Sequence, residues 1–401
     1  MEIRPILSAM TRNRTGSALV AAQIAITLTV VVNCTFMAVK RLEFIARPSG
    51  MDIDNIIVVR SFGFGGDYAH DASIAKDLET LRALPGVRAV TPSWNIPMSG
   101  GGSAMGRRAS LDEDAPTFNA NYYRVDEHAF AALGVKLLEG RNFRPEEIMR
   151  SDAENYSQTP PTIIVTKALA DRAFPGKSAL GEYLYDGLNK GSEIVGIIEH
   201  MYGAWVDWDD FDKVVWLPQR PPAPSASYLI RAEPGRRDEL MPVVETTLER
   251  TNRQRLLRTN SLEEIVANSY EADRATAVLL VTAIVLLLTI TCLGIVGLAS
   301  FTVRQRTKQI GTRRAIGARR IDIIRYFLIE NWLMTSIGIA LGTGLAIGLN
   351  YLLATQFDVQ RLDYGYLVGG MLALWILGFA AVANPARRAA KISPAIATRT
   401  V

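Results

Sequence analysis

The sequence predicts an α-helical membrane domain of four transmembrane helices, joined to a large external α+β domain made of two subdomains. Three observations carry that expectation. Four runs hold no Asp, Glu, Lys or Arg: Ser17–Val39, Ala275–Val303, Asn331–Phe357 and Tyr364–Ala386. Crossing the hydrocarbon core takes roughly 20 helical residues, and helices buried in soluble domains are usually shorter. The densest positive stretch, Arg304–Phe327, lies between two of these runs and has eight Lys/Arg against one acid. The 41–273 segment shows strand–helix–strand patterning at both of its ends.

Taken in order, the chain begins with a tail, residues 1–16, in which Arg4, Arg12 and Arg14 face one acid, Glu2. The first span, 17–40, is too long for the apolar part of a signal peptide, and no A-x-A-like site ends it. "VVN" before Cys34 does not read as a lipoprotein cleavage box. The span is therefore expected to be a retained anchor. Three more spans follow at 274–303, 328–356 and 364–385, with the basic loop at 304–327. Short cytoplasmic segments carry excess Lys/Arg. The basic loop fits that side, as does the tail at 386–401, with Arg387, Arg388, Lys391 and Arg399 and no acid. The link at 357–363, containing "DVQRLD", is acidic by comparison. Both termini are thus expected inside, with the link and the 41–273 domain outside.

Residues 40–274 contain 35 acids and 28 bases, so the net charge of +4 conceals an acidic external domain and basic internal pieces. No nucleic-acid partner follows from the basic balance. Cys34 and Cys292 both fall in spans. The external domain then has no disulfide and must bury its own core.

In that domain "NIIVVRSF" reads as a strand, "SIAKDLETLRAL" as a helix through Ile74, Leu78 and Leu81, and "PGVRAVTPS" as a second strand. Near the other end, "SYLIRAEP", "LMPVVETTLERT" and "RLLRTN" repeat the pattern. The two units are expected to form one subdomain split in sequence, with 97–220 as an inserted subdomain. The insert contains "TIIVTKALADRAF" (strand into helix) and the strands "SEIVGIIEH" and "KVVWLP". "SGGGS" at Ser99–Ser103 and "PPAP" at Pro221–Pro224 mark loops. Ser261-Leu-Glu-Glu264 fits a helix-start capping box. No breaker follows it, so one helix is expected over 262–303, roughly 60 Å long at 1.5 Å per residue. Such a rod could transmit motion, or it could be a passive stalk.

Within the spans, Gly338-x-x-x-Gly342, Gly344-x-x-x-Gly348 and Gly365-x-x-x-Gly369 have the spacing that lets helix backbones approach closely. Asn33 and Asn350 are among the few polar residues there, and Asn33 reads as a helix–helix hydrogen bond. The run interiors contain no acid, which argues against a proton relay or ion-coupled carrier. Glu330 stands at the inner edge.

A search for catalysis returns no set of residues. His70, His128 and His200 do not have metal-ligand spacing. Neither G-x-S-x-G nor G-x-x-x-x-G-K-[ST] occurs, and "GFGG" at Gly63–Gly66 lacks the lysine and helix of a phosphate loop. No catalytic, metal or cofactor site is therefore expected in this chain. "AWVDWDDFD" brings together Trp205, Trp208, Asp209, Asp210 and Phe211. It reads either as a solvated loop or as a contact site for a partner or cargo, since aromatics anchor interfaces.

The basic stretch has three readings: contact with anionic lipid heads, topological charge without a partner, or a dock for a soluble protein. Gly311 and Gly317 interrupt it, Ile310, Ala315 and Ile316 give it apolar content, and Ile321, Ile324, Phe327 and Leu328 open a new helical face. A short helix, a glycine bend and a second helix are expected.

"RTKQIGTRRAIGARRIDIIRYFLIE" resembles the loop after the second span in permeases of the MacB/FtsX-like superfamily, the type VII ABC transporters. "LRALPGVRAVTPS", "LGVKLLEGRNF", "TIIVTKALADRAFPGKSALGEYL" and "SEIVGIIEH" are similar to the MacB-type periplasmic core domain, in that family's order. "NPARRAAKISPAIATR" is similar to its C-terminal tail. The resemblance covers nearly the whole chain.

The resemblance implies a bacterial inner-membrane protein with both termini cytoplasmic and the large domain periplasmic. It implies a dimer, of two copies or with a sister permease, working with two ABC ATPase subunits that hold ATP and Mg. The ATPase-coupling helix carries over to Arg304, Arg306, Gln309, Ile310, Gly311, Arg313, Arg314, Ala315, Gly317 and Ala318. Where the family has Glu at the start of that helix this sequence has Gln309, which weakens the case for a salt bridge there. MacB has its ATPase in the same chain, so here a separate ATPase is expected. The implied mechanism is mechanotransmission, in which ATP-driven closure moves the periplasmic domains. The implied function is efflux of an antibiotic, peptide or toxin with a periplasmic adaptor and an outer-membrane channel. Alternatives are lipoprotein release, as by Lol-type permeases, and FtsX-like regulation of a periplasmic cell-wall hydrolase. An ectodomain enzyme on a membrane anchor ranks below these.

Overall fold

The computed structural model describes residues 14–64, 68–112, 114–149, 158–221, 225–357 and 360–393. Arg4, Arg12, Gly65 and Gly66 of "GFGG", Pro222–Pro224, Asp358 of the link and residues 394–401 of the basic tail lie outside them. The chain divides into two compact units, Met1–Ala46 with Asp273–Val401, and Arg47–Ala272.

The second unit is built on two sheets. Strands β1 (Ile56–Gly63), β2 (Val87–Ser93), β10 (Ser225–Ala232) and β11 (Arg255–Ser261) form an antiparallel sheet in the order β11-β1-β10-β2. Both ends of the domain sequence are thus interleaved in one sheet. Helices α2 (His70–Arg82) and α5 (Arg237–Thr251) pack on one face, against Ile57, Val59, Tyr228 and Ile230. The alternate residues Ile56, Val58 and Leu229 join a second core with Tyr123 and Trp216. Both faces are therefore buried at this end of β1, which is why "IIVV" is continuously apolar. Each large side chain removed from water there contributes about 1.5–3 kcal/mol.

A buried polar cluster ties the two ends together. Arg255 Nη2 donates to Asp77 Oδ1 at 3.0 Å, and Tyr228 OH donates to Asp77 Oδ2 at 2.6 Å. The Arg255 and Asp77 side chains are both fully buried. Burial holds the Tyr228 phenol well above its ordinary pKa, with the Asp77 carboxylate adding to the effect.

The inserted sheet comprises β3 (Ala104–Arg108), β4 (Thr117–Val125), β5 (Leu137–Gly140), β6 (Thr162–Thr166), β7 (Tyr183–Tyr185), β8 (Gly191–Ile198) and β9 (Val214–Pro218), in the order β5-β8-β6-β9-β4-β3-β7. Strand β7 also pairs with β8, which closes the ladder on itself. Helices α3 (Ala129–Leu133) and α4 (Lys167–Ala173) flank it. Sequence patterning anticipated β6, α4, β8 and β9 but assigned no element to β3, β4, α3, β5 or β7.

The first unit holds α1 (Arg14–Ile45), α7 (Glu271–Gln305), α8 (Thr307–Ala315), α9 (Arg320–Phe357) and α10 (Tyr364–Ala390). Helices α1, α7, α9 and α10 are long and apolar enough to cross a membrane. Their core collects Ile24, Leu28 and Val32 of α1 with Ile339 and Ala346 of α9 and Leu367 and Leu374 of α10. Some polar groups bond between helices: Thr27 Oγ1 meets Thr291 Oγ1 at 2.7 Å, and Asn33 Nδ2 donates to the Ala346 carbonyl at 3.3 Å.

Two sequence expectations need correction. The helix expected over 262–303 is interrupted: α6 (Leu262–Ser269) ends at Tyr270, whose φ of −99° and ψ of 10° leave the helical region, and α7 starts at Glu271. The Tyr270 side chain is buried and Ser269 Oγ donates to the Met98 carbonyl, so tertiary contacts draw this turn out of helical register. Of the expected capping box one half forms: Ser261 Oγ accepts from the Glu264 N–H at 3.0 Å, while the Glu264 carboxylate accepts from Asn260 Nδ2 at 3.1 Å. Gly311 does not interrupt the basic stretch, because it lies inside α8. The bend is at Gly317, whose φ of +103° favours glycine.

Candidate functional site

The site begins where α7 ends. Arg306 is the N-cap of α8, and its Nη1 donates to Glu330 Oε2 at 3.1 Å and to Tyr326 OH at 3.0 Å, both on α9. One turn later Ile310 and Gly311 are buried, and Ile310 joins the core of the helical unit with Ile323 and Phe327. The Arg313 guanidinium lies 5.2 Å from the centre of the Tyr326 ring. The basic helix is thus fastened to α9 by an ion pair, an apolar anchor and a cation–π contact.

Its other side is open. Lys308, Gln309, Thr312, Arg313 and Ala315 are exposed, and Ile316 is 82% exposed. Arg304 is exposed at the end of α7, Gly317 is exposed in the bend, and Arg314 and Ala318 are half-buried. Among the residues expected to couple, the structure therefore groups Arg306, Ile310 and Gly311 as an inward-facing anchor. It groups Gln309, Ala315 and Gly317 on the outward side, while Arg313, though exposed, reaches back over the Tyr326 ring. That side combines positive charge with exposed apolar surface, so it can meet a partner that offers carboxylates around an apolar groove.

Sequence reading noted Glu330 at an edge but missed its pairing. The available signal was a single acid opening a long uncharged run, across a hairpin from a basic segment.

The glycines divide in the same way. A Cβ on Gly338 would stand 2.8 Å from the Ala21 carbonyl oxygen, and one on Gly342 would stand 2.8 Å from that of Ala25. These two let α9 press directly on the α1 backbone. Gly344, Gly348 and Gly369 have no atom within 4 Å of that position, and Gly365 meets only Asp363 of its own cap. The close approach of α10 is instead made by Gly370, where a Cβ would lie 2.4 Å from Val32 Cγ2.

In the external unit the Trp205–Phe211 loop is stitched down. Arg47 stacks 4.0 Å from the Phe211 ring centre and donates to the Val206 carbonyl at 3.0 Å. Asn121 Nδ2 donates to the Asp210 carbonyl, and Lys213 pairs with the Asp210 carboxylate. Trp205 and Trp208 pack edge to face at 5.7 Å and are half-buried, while Asp209 is exposed.

Of the histidines, His70 lies 3.2 Å from the Pro221 carbonyl and His200 lies 2.7 Å from the Pro48 carbonyl. Asp126, Glu127 and His128 lie close together, but the Asp126 oxygens already accept from Thr91, Arg82 and the His128 N–H.

Residues 19–247 match the MacB-like periplasmic core domain, and residues 281–394 match the FtsX-like permease C-terminal family. The chain belongs to the MacB/FtsX-like permease family. It is a membrane protein with an external domain of the MacB type. The permease is 26% identical over 366 residues to the macrolide export ATP-binding/permease protein MacB of Vibrio parahaemolyticus, covering 88% of this chain and 52% of that one. It is 26% identical over 333 residues to the protein of that name from Nitrosomonas europaea, covering 80% and 47%. The permease thus spans about half the length of these curated relatives. Among solved structures, the periplasmic region of MacB from Actinobacillus actinomycetemcomitans aligns at 14% identity with a TM-score of 0.35, over 55% of this chain and 94% of that one. The extracellular domain of YknZ from Gram-positive bacteria aligns at 14% identity and 0.31, over 50% and 99%.

Proposed function

We propose that this permease works in the inner membrane of a bacterium, with both termini cytoplasmic, and couples ATP hydrolysis by an ABC ATPase partner to movement of its periplasmic domain. ATP and Mg bind on the ATPase. The permease acts as a dimer, with a second copy or a sister permease. The cargo is an antibiotic, peptide or toxin, passed to a periplasmic adaptor and an outer-membrane channel. The export function in the relatives' names supports this cargo class.

The observation that carries the reading is the two-sided construction of α8. Its inner side is fastened to a membrane helix through Ile310, the Arg306–Glu330 pair and the Arg313–Tyr326 contact, while its outer side presents Lys308, Gln309 and Ile316. A helix built this way can be gripped from the cytosol and can pass displacement into α9. The joint at Tyr270 gives the same displacement a pivot on its way to β11.

The test is co-purification of the ATPase with the full-length permease. Replacing Arg313 and Arg314 with Glu is expected to abolish recovery of the ATPase while the permease still inserts in the membrane. Undiminished recovery would remove α8 from the coupling role.

A further inference from the structure

The first sheet of the external domain contains a charge arrangement that the export reading does not use. In the β1–β11 ladder Arg60 stands directly opposite Arg258. Like charges in register across an antiparallel pair destabilise the sheet. Neither guanidinium makes a hydrogen bond or ion pair with any described residue. Partial burial, with Arg258 beside it, pulls the pKa of Arg60 below the usual arginine value. Arg60 is half-buried and Arg258 is exposed, so the two like charges are held in register at an open surface where an anion can reach both.

The surroundings indicate what that is. Arg60 is on the same face of β1 as Ile56 and Val58, but at its end of the strand the face opens into two adjoining cavities of about 380 Å³ and 450 Å³. Arg60, Ser99 and Gly100 line both. The first contains Arg258 and Asn260, and the second contains Phe62 and Trp94. Phe62 is 49% exposed, so an aromatic face is available beside the charges. Each volume falls in the range of small-molecule sites.

We propose that this groove binds an organic anion, with one carboxylate or phosphate group bridging Arg60 and Arg258 and a flat apolar body resting against Trp94 and Phe62. Paired arginines suit the planar, two-oxygen edge of such a group. Glu264 lines the arginine cavity and accepts from Asn260 Nδ2 at 3.1 Å. Its carboxylate repels added negative charge, so the site favours a singly charged carboxylate head over a doubly charged phosphate. The proposal does not depend on the coupling role of α8.

The experiment is calorimetric titration of the full-length permease in phosphatidylcholine nanodiscs with naphthoate, naphthyl phosphate and the neutral naphthalenemethanol. Naphthoate is expected to bind saturably, one per chain, and the alcohol at least tenfold more weakly. Arg60→Gln and Arg258→Gln should each weaken naphthoate at least tenfold, and Trp94→Ala should weaken all three probes. Arg258→Glu should pair with Arg60, abolish binding and raise the melting temperature. Equal affinity for the alcohol, unchanged binding in both glutamine variants, or no saturable binding would overturn the site. A lowered melting temperature in Arg258→Glu would give the arginine pair a structural role and overturn it as well. Loss of ATPase recovery in the α8 variant, with naphthoate binding intact, would keep the two proposals separate.

Discussion

Asp77 accepts from Arg255 and Tyr228 with no exposed surface of its own. Replacing it with Ala strands a buried guanidinium, so the external domain should lose about 3–5 kcal/mol, read from its thermal or denaturant unfolding in the full-length protein. Nothing local in "AKDLET" distinguishes Asp77 from the solvated acids of any helix. Its partners lie far along the chain, and only the sheet topology brings them to it. The glycines show the same limit. Three small-residue pairs of identical spacing were visible, yet only Gly338 and Gly342 meet the backbone of α1. Spacing shows that two residues share a helix face but not which neighbour, if any, that face meets. Leu at Gly342 should therefore lower the melting temperature of the detergent-solubilised protein, at a cost of about 1–3 kcal/mol. Leu at Gly348, which has open space around it, should leave the melting temperature unchanged.

Elements were readable where their burial is simple. Strands β1, β6, β8 and β9 are buried on both sides or nearly so, and they stand out as short apolar runs. Strand β4, "TFNANYYRV", buries Ala120, Tyr123 and Val125 but also Asn121 and Arg124, which donate to the Asp210 carbonyl and to Gln219 Oε1. A run of that composition has no apolar signature, and β3, β5 and β7 are short as well. The joint at Tyr270 was invisible for a related reason: the chain has no Gly or Pro there, and the interruption comes from the fold around Ser269 and Tyr270. For the basic segment, the short helix and bend were legible in sequence, but the fastening of α8 to α9 was not. Glu330→Ala should release Arg306 and loosen that fastening at a cost of about 1–3 kcal/mol. Limited trypsin digestion should then cut at Lys308 or Arg313 faster than in the unaltered protein, and an unchanged cleavage rate would show that Ile310 and the Arg313–Tyr326 contact hold the helix without the ion pair.

For the whole molecule, the membrane-plus-α+β class follows from properties that sequence displays openly, namely four long uncharged runs and the asymmetry of Lys/Arg around them. The orientation proposed above rests on the same asymmetry and can be checked directly. With Cys34 and Cys292 replaced, a cysteine at Leu180 should react with an impermeant maleimide in spheroplasts, whereas one at Ile316 should react only after permeabilisation. The first sheet has a further consequence, for the order of events during synthesis. Ile56 pairs with Arg231 and Ile57 with Ser261, so β1 leaves the ribosome long before either of its neighbours exists. Until β10 arrives, the first strand is an apolar ribbon with both edges bare, the state most open to mispairing. The insert between them has its own closed ladder and can fold first, bringing the two flanking segments together when its ends meet. Biogenesis of this domain should therefore run from the middle outwards, with the strand nearest the anchor waiting longest for its place.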